Sequence, residues 1–390
     1  MRKMRLGYLA APLVVFNLLF FVLPIGSIIF YAVYSPDFVK AFPETSRLLN
    51  GWDQQSLPVE EVFQAFAEEL DKAKQDRTLA SAARRLNYEI SAYRSLLTST
   101  AAATKDLHPP YKDAMIAVDA RWGELKYWQV AASASHRYTA FYVLAALDLK
   151  KDPDGSIHYV PEGERVYLAT LLRTFWMSLV VTAACIVLSY PIAFLIAGAS
   201  PFASRLLLAL VMIPFWMSLL VRTAAWMVLL QKNGLVNELL SWLGLIGEPL
   251  QLIFNRTGVY LALVHIMLPF AILPIYSVMR SISKDHLRAA ASLGARPTLA
   301  FIEVYIPQTL PGVAAGALLV FVLTIGFYIT PALLGGPKDQ MISYIIAQFA
   351  GQNANWGMAG ALALLLIFSV VSVTVAASLL TRTSRKNSQG

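Results

Sequence analysis

The chain has 390 residues, 57% of them hydrophobic and only 14% charged, where an ordinary soluble domain carries about 25% charged residues. Residues 35–166 hold 16 Lys/Arg and 19 Asp/Glu, while all other positions together hold 16 Lys/Arg but only 5 Asp/Glu. Positive charge in short clusters beside apolar runs is the pattern of a membrane protein rather than of a nucleic-acid binder, and a lone cysteine, Cys185, excludes a disulfide framework and a cysteine metal site.

In chain order, residues 1–34 begin with Arg2, Lys3 and Arg5 and continue into an apolar run too long for a signal peptide core, so they read as an uncleaved first transmembrane helix. Five further stretches, about 167–198, 206–230, 258–280, 308–331 and 357–380, approach or exceed the roughly 20 helical residues that a bilayer requires. Backbone groups in lipid have no outside partners, so all six are expected to be helices. Arg205, Arg280, Lys284, Arg288, Arg296, Arg382, Arg385 and Lys386 join the N-terminal cluster on one side, against Lys232, Arg256 and Lys338 on the other. That bias places both termini and the tail 381–390 in the cytoplasm. The polar block 35–166 then lies outside, between the first two spans.

The block reads as helical. Val62, Phe63, Phe66, Leu70 and Ala73 recur at helical spacing opposite a charged face, and Met115, Val118, Trp122 and Leu125 repeat the pattern. Asp152-Pro153-Asp154-Gly155 marks a turn before the chain re-enters the membrane. The stripes fit a small helical cap that packs on the outer mouth, or a docking surface for an extracytoplasmic partner.

The cytoplasmic segment 281–307 carries the most information. Asp285 suits the N-cap of a short helix through Ala289, Ala290 and Leu293. Gly294 suits the left-handed residue that ends it, and Pro297 the first turn of a second short helix. Pro307 and Pro311 mark entry to the fifth span. Such a knob fits a groove on another protein.

Ala289, Ala290, Gly294 and Pro307 match the spacing of the EAA loop of binding-protein-dependent ABC importer permeases. The chain resembles that family, and over about 167–380 it is similar to the spermidine/putrescine-type permeases. The runs Phe215 to Trp226, which includes Trp216 and Arg222, Asn233-Gly234-Leu235-Val236-Asn237, and Phe327 to Gly336, which includes Tyr328 and Pro331, carry the likeness. Two departures stand out. Arg288 occupies the place of the usual Glu, removing half of a capping box with Asp285, and the 35–166 insert replaces a short loop.

The resemblance implies an all-α membrane protein with six transmembrane helices of the type I ABC importer kind, to which the residues of 35–166 add a helical periplasmic insert between spans 1 and 2. It implies a subunit of the bacterial inner membrane that forms half of a pore for a small polar organic solute, polyamine-like by kinship. Its implied partners are a second permease, a periplasmic solute-binding protein and a cytoplasmic ATPase dimer. The ATPases would use ATP-Mg and seat on Asp285, Leu287, Arg288, Ala289, Ala290, Gly294, Ala295 and Pro307.

Within the spans, Arg222 is a charge in lipid and so a functional candidate; snorkelling to the outer interface is the competing reading. Trp216, Trp226 and Tyr328 have the chemistry to stack on a solute along the path, or to anchor at the interface. Pro331, in the irregular run 326–336, marks an outer gate. His265 reads as a hydrogen-bonded core residue, and Asn255-Arg256-Thr257 as a chance glycosylation match.

No phosphate-binding G-x-x-x-x-G-K-[ST] loop, no H-E-x-x-H and no G-x-S-x-G occurs, so no catalytic or metal site and no cofactor is expected in this chain. A secondary transporter or ATPase-free pore is the second reading, but Glu238, Glu248, Asp285, Glu303 and Asp339 all fall in predicted loops, leaving the spans without a coupling carboxylate. A membrane sensor built on the insert would need a cytoplasmic output domain, and 281–307 is too short to be one.

Overall fold

The computed structural model describes residues 11–104, 107–152 and 155–387. Arg2, Lys3, Arg5, Pro153, Asp154 and the last three residues of the basic tail lie outside the described residues. The chain divides into one unit of Met1–Arg165 with Asn353–Leu364, and another of Val166–Gln352 with Leu365–Gly390.

Five helices are long and apolar enough to cross a membrane among the described residues: Ala11–Tyr31, Tyr167–Gly198, Arg256–Ser281, Pro297–Ile325 and Trp356–Val375. A sixth crossing is broken. Pro201–Trp216 and Leu219–Leu229 meet at 95°, which corrects the expectation of one continuous helix over 206–230. Pro214 lies in a tight 3-10 turn over Ile213–Trp216, and Ser218 then caps a new helix, its Oγ accepting the Val221 N–H at 3.2 Å.

The fifth span also differs from its predicted bounds. Its helix starts at Pro297, within the expected loop, and ends at Ile325. A π-helical stretch, Phe301–Tyr305, carries it across Pro307. Proline has no N–H and its ring crowds the carbonyl four residues back, and the wider π turn accommodates both. Glu303 therefore lies in this helix rather than in a loop. The helix Trp356–Asn387 likewise continues through 381–387, the first part of the predicted tail.

In the first unit, short helices enclose an aromatic core. Val62, Phe63, Phe66, Leu70 and Ala73 all lie on the buried face of Glu60–Gln75. The second stripe is not one helix. It divides among Tyr111–Val118, a 3-10 turn at Ala120–Gly123 and Leu125–Ala134. The Asp119 carboxylate interrupts it by accepting the Arg121 N–H and, bidentately, the Arg121 guanidinium at 2.9 and 2.6 Å. Those bonds hold the Asp119 carboxyl below the usual carboxylate range. Met115 and Trp122 are buried, whereas Val118 is exposed. A two-stranded antiparallel pair, Leu149–Lys151 with Ile157–Tyr159, adds a small strand element to a helical fold.

Glu69 is buried and takes three hydrogen bonds from the start of the helix Pro43–Leu49: the Glu44 N–H at 2.7 Å, the Thr45 N–H at 3.0 Å and the Thr45 hydroxyl at 2.7 Å. A carboxylate there satisfies orphan donors and the positive helix end together. Glu69→Ala should lower the insert's unfolding free energy by about 2 kcal/mol, checked by denaturant titration of the full chain in detergent.

In the second unit, Tyr167–Gly198, Arg256–Ser281 and Ile306–Ile325 pack together around Met177, Val181, Cys185, Leu263, Ile266, Met267 and Val320. Asn255 caps Arg256–Ser281, its Oδ1 accepting the Gly258 N–H at 3.0 Å. Arg173 donates to the Gln340 carbonyl at 3.3 Å.

Candidate coupling loop and solute-path residues

The loop's helix is Lys284–Ser292, and its N-cap is Ser283 rather than Asp285. The Ser283 Oγ accepts the Asp285 N–H at 3.2 Å and donates to the Asp285 carboxylate at 3.0 Å. Asp285 is the second residue of the first turn, where it pairs with Arg288 at 3.2 Å. Both partners are more than three-quarters exposed, so this pair contributes little stability. It does set the direction of the Arg288 side chain, the residue that departs from the family pattern.

The helix ends as its glycine demands. Gly294 has φ +84°, the Ala295 N–H reaches back to the Ala290 carbonyl at 3.1 Å and the Gly294 N–H to Ala291 at 3.0 Å. This is the Schellman pattern, open to a β-carbon only at a strain of about 1–2 kcal/mol. Leu287 turns inward, packing on the cluster of Ala193, Ile196, Ile272 and Tyr305. Ala290 and Ala295 are half-buried, while Arg288, Ala289 and Leu293 face outward, Leu293 being 88% exposed.

His286 ties the loop to the fifth span. Its Nδ1 is 2.8 Å from the Gln308 Oε1, and the Gln308 Nε2 donates to the Val304 carbonyl at 2.8 Å. An amide oxygen only accepts, so His286 carries its proton on Nδ1. Sequence periodicity gave no sign of this tie. Pro307 stands apart from the knob, exposed within the helix Ile306–Ile325.

Of the solute-path candidates, the structure groups two and separates three. Arg222 and Trp226 lie four residues apart on Leu219–Leu229, hence on one face. The Trp226 indole N–H donates to His265 Nδ1 at 3.2 Å, from the neighbouring helix Arg256–Ser281. His265 is exposed on that helix, which corrects its reading as a core residue. The Arg222 Nε is shut off from solvent without an acceptor, and no ion pair reaches Arg222 among the described residues.

Trp216 stands at the break of the third crossing, 91% exposed. Pro331 is buried in the short helix Ile329–Leu334, and Tyr328 is exposed at its start. Leu219–Leu229 packs on that short helix, where the Thr223 and Thr330 hydroxyls meet at 3.1 Å. The run 335–339 is held by Asp339, which bonds Arg256 at 2.9 Å and accepts the Gly336 N–H at 3.3 Å. The predicted outer gate is thus a short buried helix and a pinned turn.

The sequence profile of the family described as binding-protein-dependent transport system inner membrane component matches residues 169–386. The chain belongs to this family. The match covers the loop, Arg222, Trp226 and His265, and leaves the 35–166 insert outside. The chain is 36% identical over 181 residues to the spermidine/putrescine transport system permease protein PotB of Escherichia coli K12, covering 46% of this chain and 66% of that one. This is just short of two thirds of the relative's length. It is 33% identical over 199 residues to PotB of Haemophilus influenzae, covering 51% and 70%, and 34% identical over 214 residues to the inner membrane ABC transporter permease protein YdcU of E. coli K12, covering 51% and 67%. Among solved structures, a bacterial alginate ABC transporter in complex with alginate pentasaccharide-bound periplasmic protein is similar at 19% identity and TM-score 0.44, over 55% of this chain and 78% of that one. As a permease of this family, the chain is a helical, multi-pass component of the inner membrane.

Proposed function

We propose that this permease supplies half of the translocation pore of an ATP-driven importer. On this reading both termini and the loop 283–307 face the cytoplasm, and the 35–166 insert faces the periplasm. Two copies of a cytoplasmic ATPase seat on this loop and on its counterpart in a second permease, and a periplasmic binding protein delivers solute to the outer face. ATP and magnesium act in the ATPase, and this chain carries no catalytic group or metal of its own. The solute is a small polar organic molecule, and the names of the PotB relatives favour one of polyamine length.

The observation that carries the reading is the Gly294 cap on an outward-facing knob, with Arg288, Ala289 and Leu293 presented to solvent. Closure of the ATPases would draw the two knobs together and switch the pore between its two openings. Gly294→Val, which strains the cap, should leave the ATPase active but cut solute transported per ATP by about tenfold in reconstituted vesicles. Unchanged coupling would overturn the assignment of this loop.

A further inference from the structure

Within the membrane-spanning part of the second unit, one polar cluster includes a cationic side chain without an ion pair among the described residues. His265 lies about 14 Å along the helix Arg256–Ser281, at 1.5 Å per residue, so it sits well inside the apolar layer. Together with Trp226 and Arg222 it forms a polar face on two adjoining helices, His265 exposed and the other two half-buried. A face of this kind against lipid is costly, so it turns toward water or protein.

The chemistry of that face is one-sided. An indole N–H only donates, so His265 Nδ1 is the acceptor and the neutral ring carries its proton on Nε2. His265 therefore presents a donor at its free edge. Among the described residues the Arg222 guanidinium makes no ion pair and its enclosed Nε has no acceptor, so neutralisation must come at the Nη groups. The five carboxylates of the second unit lie elsewhere: Asp339 is paired with Arg256, Asp285 is on the coupling loop, Glu238 is on a short helix, Leu235–Trp242, that belongs to none of the spans, Glu248 is exposed in the segment after that helix, and Glu303 is in the second turn of Pro297–Ile325. An ammonium group would meet donors and a like charge here. A carboxylate would meet a cation and a neutral N–H donor.

We propose that Arg222, Trp226 and His265 form a subsite for a carboxylate group of the transported solute. This deepens the proposed function and rests on its pore reading, with the sequence expectation that Arg222 and Trp226 line the solute path. The solute then combines polyamine-like length with at least one anionic end, the indole of Trp226 covering its methylene chain.

Three probes of equal chain length separate the possibilities: succinate, 4-aminobutyrate and putrescine carry two, one and no carboxylates. Equilibrium dialysis of each labelled probe against the full chain in lipid nanodiscs should show retention of the two carboxylates and not of putrescine. Arg222→Gln should weaken carboxylate retention by about tenfold or more, and Arg222→Lys, which keeps the charge, by less. Putrescine retained as well as 4-aminobutyrate, carboxylate binding indifferent to Arg222→Gln, or no retention of any probe up to about 10 mM would each overturn the subsite.

The underlying path reading has its own test. Ala225, exposed one turn from Arg222, is replaced by Cys in a Cys185→Ala background and treated with a membrane-impermeant thiol reagent. Labelling supports a water-filled path, and absence of labelling removes that path. Binding needs no ATPase, so a failed coupling test at Gly294 would leave these results standing.

Discussion

Trp128→Ala should cost the insert about 3–5 kcal/mol of unfolding free energy, enough to leave much of 35–165 open to protease at 37 °C. Trp128 is fully buried, with its ring centroid 4.5 Å from Phe63, 5.6 Å from Phe66 and 5.1 Å from Trp122. Its indole N–H donates to the Trp122 carbonyl at 3.0 Å, while the Trp122 indole donates to the Thr100 hydroxyl at 2.8 Å. Alanine removes one of the two largest side chains of this core, leaves a cavity among rigid rings and strands one buried carbonyl. Phe42 stacks on Phe66 at 4.6 Å, so the loss propagates to the helix Pro43–Leu49 beside it. The insert contains no cysteine that would brace it. Limited proteolysis and thermal unfolding of the full chain in detergent report the effect. A cost under about 1 kcal/mol would mean that the aromatic cluster is not what holds the insert together.

Gly316→Ile should disrupt the second unit by at least about 3 kcal/mol, and in cells should strongly reduce the amount of folded permease. A β-carbon at Gly316 meets the Ala271 carbonyl oxygen at 3.0 Å and the Ala271 Cα at 3.4 Å. One turn earlier, a β-carbon at Gly312 would meet the Val278 Cβ at 2.9 Å and the Pro274 carbonyl at 3.0 Å. The Gly-x-x-x-Gly spacing lets the backbones of Arg256–Ser281 and Ile306–Ile325 approach closely, as apolar helices in lipid must if packing rather than water exclusion is to join them. The obstructing atoms are backbone, so no side-chain rotation relieves the clash. Ala315→Ile, one residue away on an exposed surface, should stay within about 0.5 kcal/mol of the parent chain in the same unfolding assay. Equal effects at both positions would show that bulk in this helix, and not the contact with Ala271, is what matters.

Several features of the fold and of the loop were legible in the residues themselves. Apolar runs located the crossings because lipid offers no partners for backbone N–H and C=O groups, which favours helices that satisfy them internally. The stripe Val62, Phe63, Phe66, Leu70 and Ala73 located a buried face because period 3.6 is a local property. Gly294 announced a left-handed cap, and the backbone there has φ +84°. Each of these is written within one or two helical turns, where geometry follows from nearby residues alone.

What only the tertiary structure decided depends on partners far apart in the chain. The break at Met217 was hidden because apolar composition continues through it, and only the Ser218 cap and the 95° turn reveal it. Ser283 displaced Asp285 as N-cap because either residue suits the position and the start of the helix chose between them. The pairing of Trp226 with His265 spans 39 residues, and that of Arg256 with Asp339 spans 83. No periodicity encodes such a hydrogen bond; it exists because packed helices bring the two side chains together. The sequence by itself therefore determined the membrane class, the helical insert and the capped loop. The grouping of Arg222 and Trp226 with His265 was decided by how two helices pack, since a charge in lipid acquires its meaning from the face it shares.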